Sequence, residues 1–420
     1  MRILIPTDVL PPHGKGGAAW STHTLARALQ ERGHQVTAIV PQRGRSGITH
    51  ADALGIPTIY VGYRAPNIPF VQNYVRHEWF RPRLAAAIIA AAQQGPPVDL
   101  IHAQHVQTIP AAVLAGRSLH VPVVATVRDH WPWDYFATGL HAERLPYPHN
   151  SAASLLTDLV ARRGPLWGLL AAPAIPYMLA HVRQRAKLLS QADAVIACST
   201  YIAARLRSIV ADERLHVIPH MVDFAAVERA ATANQPDPSP LPLLLFAGKL
   251  EPNKGAGLLP AIFTALRTQG PLPPLRLIIA GDGALRSYLA HELAALEVPT
   301  EFLDWAGHDR VLALMARCDL LLFPSAWGEP LSRVLLEASA LGAPILAMPT
   351  GGTGDIVQDG KTGALAATPQ TFAARIRELL ADPQQRRQLG ENARSAARAR
   401  YAVEIVAPHY ETLYRACRKA

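Results

Sequence analysis

The sequence predicts two α/β domains, each a parallel sheet doubly wound by helices, and three observations carry this. Short apolar runs alternate with stretches of helical period, the pattern of a parallel sheet covered on both faces. The alternation stops at Ala233-Asn234-Gln235-Pro236-Asp237-Pro238-Ser239-Pro240, whose prolines suit a linker, and then begins again. The 420 residues are enough for two separate cores. The expected division is a first domain over 1–232, a linker at 233–241, a second domain over 242–401 and a terminal helix over 402–420.

Taken in order, Arg2-Ile3-Leu4-Ile5-Pro6-Thr7 reads as the first strand, and it reaches Asp8 too soon for a secretory signal, which points to a cytoplasmic protein. Brief apolar runs place further strands at 35–40, 57–61, 98–102, 121–127, 193–198 and 215–218. Apolar residues recur every three or four positions in 18–32, 80–93 and 179–191, which read as helices. In the second half, strands fall at 242–247, 275–280, 300–303, 319–323 and 344–348. Helices alternate with them near 256–268, 284–295, 309–316, 330–341 and 370–381.

Residues 165–182 interrupt the pattern. They carry no Asp, Glu, Lys or Arg, yet Arg162 and Arg163 precede them and Arg183, Arg185 and Lys187 follow. Prolines inside the stretch argue against a membrane span, and two readings stay open: a segment lying in a membrane interface, or a buried insertion. The charge balance bears on the choice. Residues 1–235 hold 22 Lys+Arg against 14 Asp+Glu and residues 236–420 hold 19 against 18, so +8 of the net +9 sits in the first half. That asymmetry points to an anionic partner. No zinc-finger, RNP or helix-turn-helix pattern supports nucleic acid, so an anionic membrane surface, on the inner face, is the expected one. Cys198, Cys318 and Cys417 are odd in number and scattered, which suits a reducing compartment and argues against a structural zinc site.

The residues that could carry chemistry follow predicted strands. Gly328-Glu329-Pro330-Leu331-Ser332 comes after Leu320–Phe323, and Arg333-Val334-Leu335-Leu336-Glu337 comes next. Pro330 suits the first turn of a helix. Glu337 would then lie two turns below Glu329, roughly 12 Å away at ~1.5 Å per residue, about the span from the sugar to the ribose of a nucleotide sugar. Ligands of open α/β sheets bind at the carboxyl ends of the strands, where Glu329 falls. Gly248-Lys249-Leu250-Glu251-Pro252-Asn253-Lys254-Gly255 sets two lysines five apart at another strand end, able to converge on a diphosphate or simply to be solvated. Gly281 and Gly283 form a turn where a nucleotide can approach the backbone. Gly351-Gly352-Thr353-Gly354 offers amides to a phosphate or to sugar hydroxyls, unless it is a plain turn.

In the first half, Gly14, Gly16 and Ala19 fit a relaxed dinucleotide fingerprint, making an NADP-linked oxidoreductase one rival. The long loop at 8–13, and the lack of an acid closing Val36–Val40, count against it. Arg128, Asp129 and His130 follow the strand at 121–127, and Trp131, Trp133 and Tyr135 could stack on a sugar or a lipid or belong to the core. His102 and His105 end another strand, with no third ligand spaced to complete a metal site.

Together, Gly-Glu-Pro-Leu-Ser-x5-Glu-Ala-x-Ala-x-Gly-x-Pro over 328–344, Gly351-Gly352-Thr353-Gly354 and Asp359-Gly360-Lys361-Thr362-Gly363 resemble glycosyltransferase family 4 over nearly the whole chain. That family comprises retaining enzymes of the GT-B fold, two Rossmann-like domains facing a cleft, with a Glu-x7-Glu hallmark. The resemblance implies transfer of a sugar from a UDP- or GDP-linked donor to a carbohydrate or lipid-linked acceptor, without metal or cofactor. Lys249 and Lys254 would stabilise the leaving diphosphate, Glu329 would hold sugar hydroxyls and Glu337 the ribose. Gly281, Gly283, Pro330, Leu331, Ser332, Gly352 and Thr353 would line the donor, with Gly16 and Gly17 near the leaving phosphate. The terminal helix would cross back onto the first domain. Three departures stand out. Lys249 replaces a commoner arginine; Arg128 stands where the family has a histidine, with His130 two residues on; and His220-Met221 replaces Asn-Gly. Arg128 and His130 are both kept as catalytic candidates. The chain lacks the Asp-x-Asp metal motif of the other main glycosyltransferase fold. A non-catalytic sugar-nucleotide-binding protein of the same fold is the second rival.

Overall fold

A computed structural model of the chain describes residues 1–14, 16–142, 145–146, 150–233 and 240–419. Lys15 and most of the expected linker lie outside the described residues. The chain forms two compact units. One holds Met1–Gly139, Pro148–Met221 and Glu404–Ala420, and the other holds Leu140–Tyr147 and Val222–Val403.

The strands of the first unit are β1 (Arg2–Pro6), β2 (Gln35–Arg43), β3 (Ile48–Asp52), β4 (Pro57–Tyr63), β5 (Leu100–Gln104) and β6 (Val123–Val127). A short antiparallel pair, β7 (Leu140–His141) and β8 (Leu145–Pro146), precedes β9 (Ala194–Ala197) and β10 (Leu215–Val217). The sheet order is β10-β9-β6-β5-β1-β2-β4-β3, parallel throughout except for β3 against β4. β1, β5, β6 and β9 are almost wholly buried, as a sheet with helices on both faces requires. β3 was not foreseen. All five of its residues are exposed, so no burial alternation marks it.

The longer helices of this unit are α1 (Gly17–Glu31), α2 (Arg81–Gln93), α3 (Thr108–Leu119), α4 (Ala152–Arg163), α5 (Pro165–Leu170) and α6 (Ile175–Leu189). The second unit carries β11 (Leu243–Ala247), β12 (Arg276–Ala280), β13 (Thr300–Phe302), β14 (Leu320–Phe323), β15 (Ile345–Ala347) and β16 (Ala364–Leu365). Its order is β13-β12-β11-β14-β15-β16, all parallel. Around it lie α7 (Leu259–Thr268), α8 (Arg286–Ala295), α9 (His308–Arg317), α10 (Arg333–Ala340), α11 (Pro369–Ala381) and α12 (Pro383–Tyr401). Leu244, Leu277, Leu320, Phe263, Phe372 and Ile376 centre one continuous core here.

The main segment of this unit starts at Val222, before the proline-rich stretch, because the helix Phe224–Ala233 packs on α9. The last helix, α13 (Val403–Lys419), contributes nearly all of its length to the first unit. Its Glu411 meets Arg32 and His34, each at 2.8 Å, and the hydrogen bond from Arg32 leads in holding that carboxyl down at about 2. Its Tyr414 hydroxyl lies 2.6 Å from His102 Nδ1 in the core. His102 also meets Thr126 and Gln104, so it is a satisfied interior histidine.

Candidate active site

In each sheet the strand order reverses at one place, where the loops at the carboxyl ends of open α/β sheets generally leave room for a ligand. In the second unit it lies between β11 and β14. Lys254, from the loop after β11, and Glu329, from the loop after β14, meet there. Lys254 Nζ lies 3.2 and 3.1 Å from the two carboxylate oxygens. Ser325 Oγ and Trp327 Nε1 donate to Glu329 Oε2 at 3.0 and 2.6 Å. Oε2 thus takes three donors, while Oε1 takes Lys254 alone and keeps a lone pair for a hydroxyl. The Lys254 ammonium also stands 4.4 Å above the Trp327 ring, which fixes the lysine from a second side.

Glycines bring these loops together. Gly255 has φ +71°, and a Cβ there would collide with the Pro324 carbonyl. Gly351 has φ +55°, and a Cβ there would strike the Glu329 backbone. The Glu329 loop is therefore held between two glycine-bearing turns, and Gly352 N donates to the Glu329 carbonyl at 2.6 Å. Glu337 lies on α10, buried. Its Oε1 accepts from Arg333 Nε at 2.7 Å and lies 2.9 Å from His308 Nε2. Burial alone would raise this carboxyl, but the Arg333 charge and the His308 hydrogen bond more than reverse it, so Glu337 stays ionised.

The first unit's reversal lies between β1 and β5. Asp8, just past β1, faces His105, just past β5. His105 Nδ1 is 3.3 Å from Asp8, and its Nε2 is 3.1 Å from Asp129, which follows β6. Asp8 also takes the amides of Gln107 and Thr108, where α3 begins, and lies 3.4 Å from Arg76. Burial would lower His105, but the two carboxylates outweigh it and push the imidazole up to about 10. His105 holds this place at φ +89°, unusual for a side-chain-bearing residue. With both ring nitrogens facing carboxylates, it is an imidazolium fastener of three loops and a poor proton shuttle near neutrality.

Comparison with known proteins settles the family. The glycosyltransferase family 4 model matches residues 15–226, and the model for glycosyl transferases group 1 matches residues 229–396. The chain belongs to glycosyltransferase family 4. A glycogen synthase of Mycobacterium tuberculosis is 26% identical over 438 aligned residues, covering 100% of this chain and 95% of that protein. A lipopolysaccharide 1,2-N-acetylglucosaminetransferase of Salmonella typhimurium is 33% identical over 40% of this chain and 47% of its own. Anabaena HepE, solved in complex with UDP, superposes with a TM-score of 0.67 at 22% identity over 98% of this chain and 99% of its own. A Thermosynechococcus elongatus sucrose-phosphate synthase gives 0.69 at 20% over 99% and 98%. The fold is thus that of the GT-B glycosyltransferases, and the chain is a glycosyltransferase of that type.

Against this family, the expected site residues sort unevenly. Glu329, Lys254 and Glu337 lie in one unit around the β11–β14 crevice. Lys249 is exposed, 3.7 Å from Glu251, whereas Lys254 is held on Glu329. Gly281 and Gly283 are glycines for another reason than ligand approach. The positions their Cβ atoms would take are filled by the Gly248 and Leu250 carbonyls, so they let two loops touch. Gly352 and Thr353 likewise spend their amides inside the protein, on the carbonyls of Glu329 and Thr350, and so do not form an open anion nest. The buried Thr353 hydroxyl finds no partner among the described residues.

Pro330 does not open the helix. α10 begins at Arg333, because the Ser332 hydroxyl accepts from Leu335 N and caps it, while Pro330 and Leu331 are buried in the loop before it. In the first unit, Gly16 precedes α1 and Gly17 begins it, both exposed, with open space beside Gly16. Arg128 is buried, donating to Thr22 on α1 at 2.7 Å. His130 is fully buried beside Trp133 and Tyr201. Sequence reasoning missed Ser325, Trp327, His308 and Arg333, the partners of the two glutamates. Only the spacing of Arg333 and Glu337, one helical turn, could have signalled any of them. Among the described residues, no group of three or more His, Cys, Asp or Glu side chains could hold a metal ion.

Proposed function

We propose that the protein is a retaining, metal-independent glycosyltransferase that moves a sugar from a UDP- or GDP-linked donor to a carbohydrate or lipid-linked acceptor. The observation that carries this is the Lys254–Glu329 pair at the strand-order reversal of the second unit. In the reaction, the bond from the anomeric carbon to the diphosphate oxygen breaks and its electron pair leaves with the diphosphate. The acceptor oxygen then bonds to that carbon on the same face and gives up its proton to the departing diphosphate oxygen. Lys254, with Lys249 adding charge from the same loop, stabilises the departing diphosphate, the part a divalent ion plays elsewhere. Glu329, with its unused lone pair on Oε1, holds sugar hydroxyls beside the carbon where positive character grows. Glu337 binds the ribose.

UDP and UDP-glucose occupy solved HepE structures of the same fold, which supports a nucleotide-sugar donor here. Release of nucleoside diphosphate from a panel of UDP- and GDP-sugars, with and without EDTA, tests the reading. Turnover that persists in excess EDTA with retained anomeric configuration is expected. Activity abolished by EDTA and restored by manganese would overturn metal independence. Stabilisation by NADP in place of either nucleoside diphosphate would overturn the assignment. Donor binding without turnover on any acceptor class would leave a binding protein.

A further inference from the structure

The apolar stretch 165–182 divides in the fold. Its second part is buried: Ile175, Met178 and Val182 pack with Leu155, Leu159 and Tyr135. Its first part, α5, does the opposite. Leu166, Trp167, Leu169 and Leu170 are 66%, 66%, 58% and 63% exposed. Two glycines produce this. Gly164, at φ +79°, turns the chain after α4. Gly168 then lies so close to α4 that a Cβ would come within 2.5 Å of Val160 Cα. Gly168 is the one buried residue of α5, so its large side chains all point away from the unit. Phe70, Pro69, Arg163, Trp167, Leu170 and Ala171 line an open groove of about 620 Å³ beside it, continued by exposed Ile68 and Val71.

The exposed charge along this stretch of sequence has one sign. Between residues 145 and 192 the only acid is Asp158, and it is buried. Arg162, Arg163, Arg183 and Lys187 are exposed there. Arg185, a flanking cation in the sequence, is buried instead, with its guanidinium on the Asp134 carbonyl and near the Tyr135 ring. No helix among the described residues is long and apolar enough to cross a membrane. Six residues rise roughly 9 Å, which suits lying in an interface. A second copy of the chain fits poorly, because pairing two such patches would set arginines against arginines.

We propose that α5 is an interfacial anchor seating the protein on an anionic phospholipid surface. Leu166, Trp167, Leu169 and Leu170 enter the acyl boundary, Arg162 and Arg163 meet the headgroup phosphates, and the groove takes the upper part of an acyl chain with Arg163 at its rim. This does not depend on the chemistry of the second unit.

The test is flotation of the full-length protein with vesicles of phosphatidylcholine alone or of equimolar phosphatidylcholine and phosphatidylglycerol. Binding to the mixed vesicles is expected, weakened by salt, with quenching of tryptophan fluorescence by brominated acyl chains. Trp167→Phe should keep binding and lose the quenching. Leu166→Ser with Leu170→Ser should lower partitioning about tenfold or more while leaving Tm and UDP-induced stabilisation unchanged, since both side chains are exposed. Arg162→Glu with Arg163→Glu should abolish the preference for the anionic lipid. Absent binding, equal binding to both vesicles, or binding untouched by the leucine pair would overturn the proposal. So would a dimer in solution that the leucine pair dissolves, which would assign the face to a second copy.

Discussion

The two units place a carboxylate–cation contact at the same topological position, and the two contacts differ in what they leave unused. In the second unit, Glu329 keeps a lone pair on Oε1, and Lys254 is held by that carboxylate and by the Trp327 ring. In the first, His105 has a carboxylate at each ring nitrogen, and Asp8 already serves two helix amides as well. A crevice at a strand-order reversal is therefore not by itself a reactive site. What separates the two is spare bonding capacity. The first arrangement turns both ring nitrogens to carboxylates and fastens loops, and the second leaves one acceptor position of a buried carboxylate unused among the described residues.

The hardest test of this contrast is Glu329→Gln, which keeps the shape and removes the charge. It is expected to lower kcat roughly 100- to 1000-fold with little change in donor KM, because the charge matters most as the leaving group departs. Steady-state kinetics with fixed acceptor measure it, and wild-type kcat would break the comparison. Lys254→Met comes next, with kcat down about 100-fold. It should also cost about 1–3 kcal/mol in denaturant unfolding, since Glu329 would stay buried with only Ser325 and Trp327 as donors. Glu337→Ala should fall on donor KM, about tenfold, because a ribose contact is alike in ground and transition states. Unchanged KM would remove the ribose role.

The fold was largely legible. Every strand expected from a short apolar run exists within two or three residues of its predicted ends. What escaped notice were elements without contrast. β3 is exposed throughout, α3 is buried nearly all round, and α12 is so polar that its apolar stripe is thin. The site was legible where the chain is local. Glu329 and Glu337 share a strand-loop-helix unit, and Lys254 follows one strand end. The first unit's fastener was not, because Asp8, His105 and Asp129 are far apart in sequence and come together only through strand order. His130 shows the reverse, since its neighbour Asp129 joins that cluster while its own ring packs among aromatic side chains.

The fastener makes its own prediction, smaller and seen in pH. In the fold the His105 imidazole titrates at about 10, against ~6.5 in an unfolded chain. A raised folded value means the stabilisation is complete below about 6.5 and is lost as pH rises through about 10. Asp129, held below its ordinary value although burial opposes this, is lost instead on the acid side. His105→Asn should therefore lie furthest below wild type near pH 6 and approach it towards pH 10, as followed by Tm. Its kcat at neutral pH should stay within a fewfold of wild type. A constant Tm gap across that range would deny the charged fastener, and a kcat loss matching that of Glu329→Gln would make the two crevices alike.

The smallest effect is expected at Lys249, and it sharpens the comparison from inside the second unit. Lys249 and Lys254 share one loop and one charge, but only Lys254 is fixed, by a carboxylate and an indole. Lys249 is exposed and 3.7 Å from Glu251, a contact that solvent and salt screen. Lys249→Ala should leave stability within about 0.5 kcal/mol. If position rather than charge is what matters, turnover should fall only roughly three- to tenfold, with the loss shrinking as salt is raised, because a mobile surface cation acts on the diphosphate through screened distance. A salt-independent loss as deep as that of Lys254→Met would mean that Lys249 reaches the diphosphate directly. The leaving group would then be held by two fixed cations, and the spare capacity of the Lys254–Glu329 pair would no longer be the feature that distinguishes this crevice.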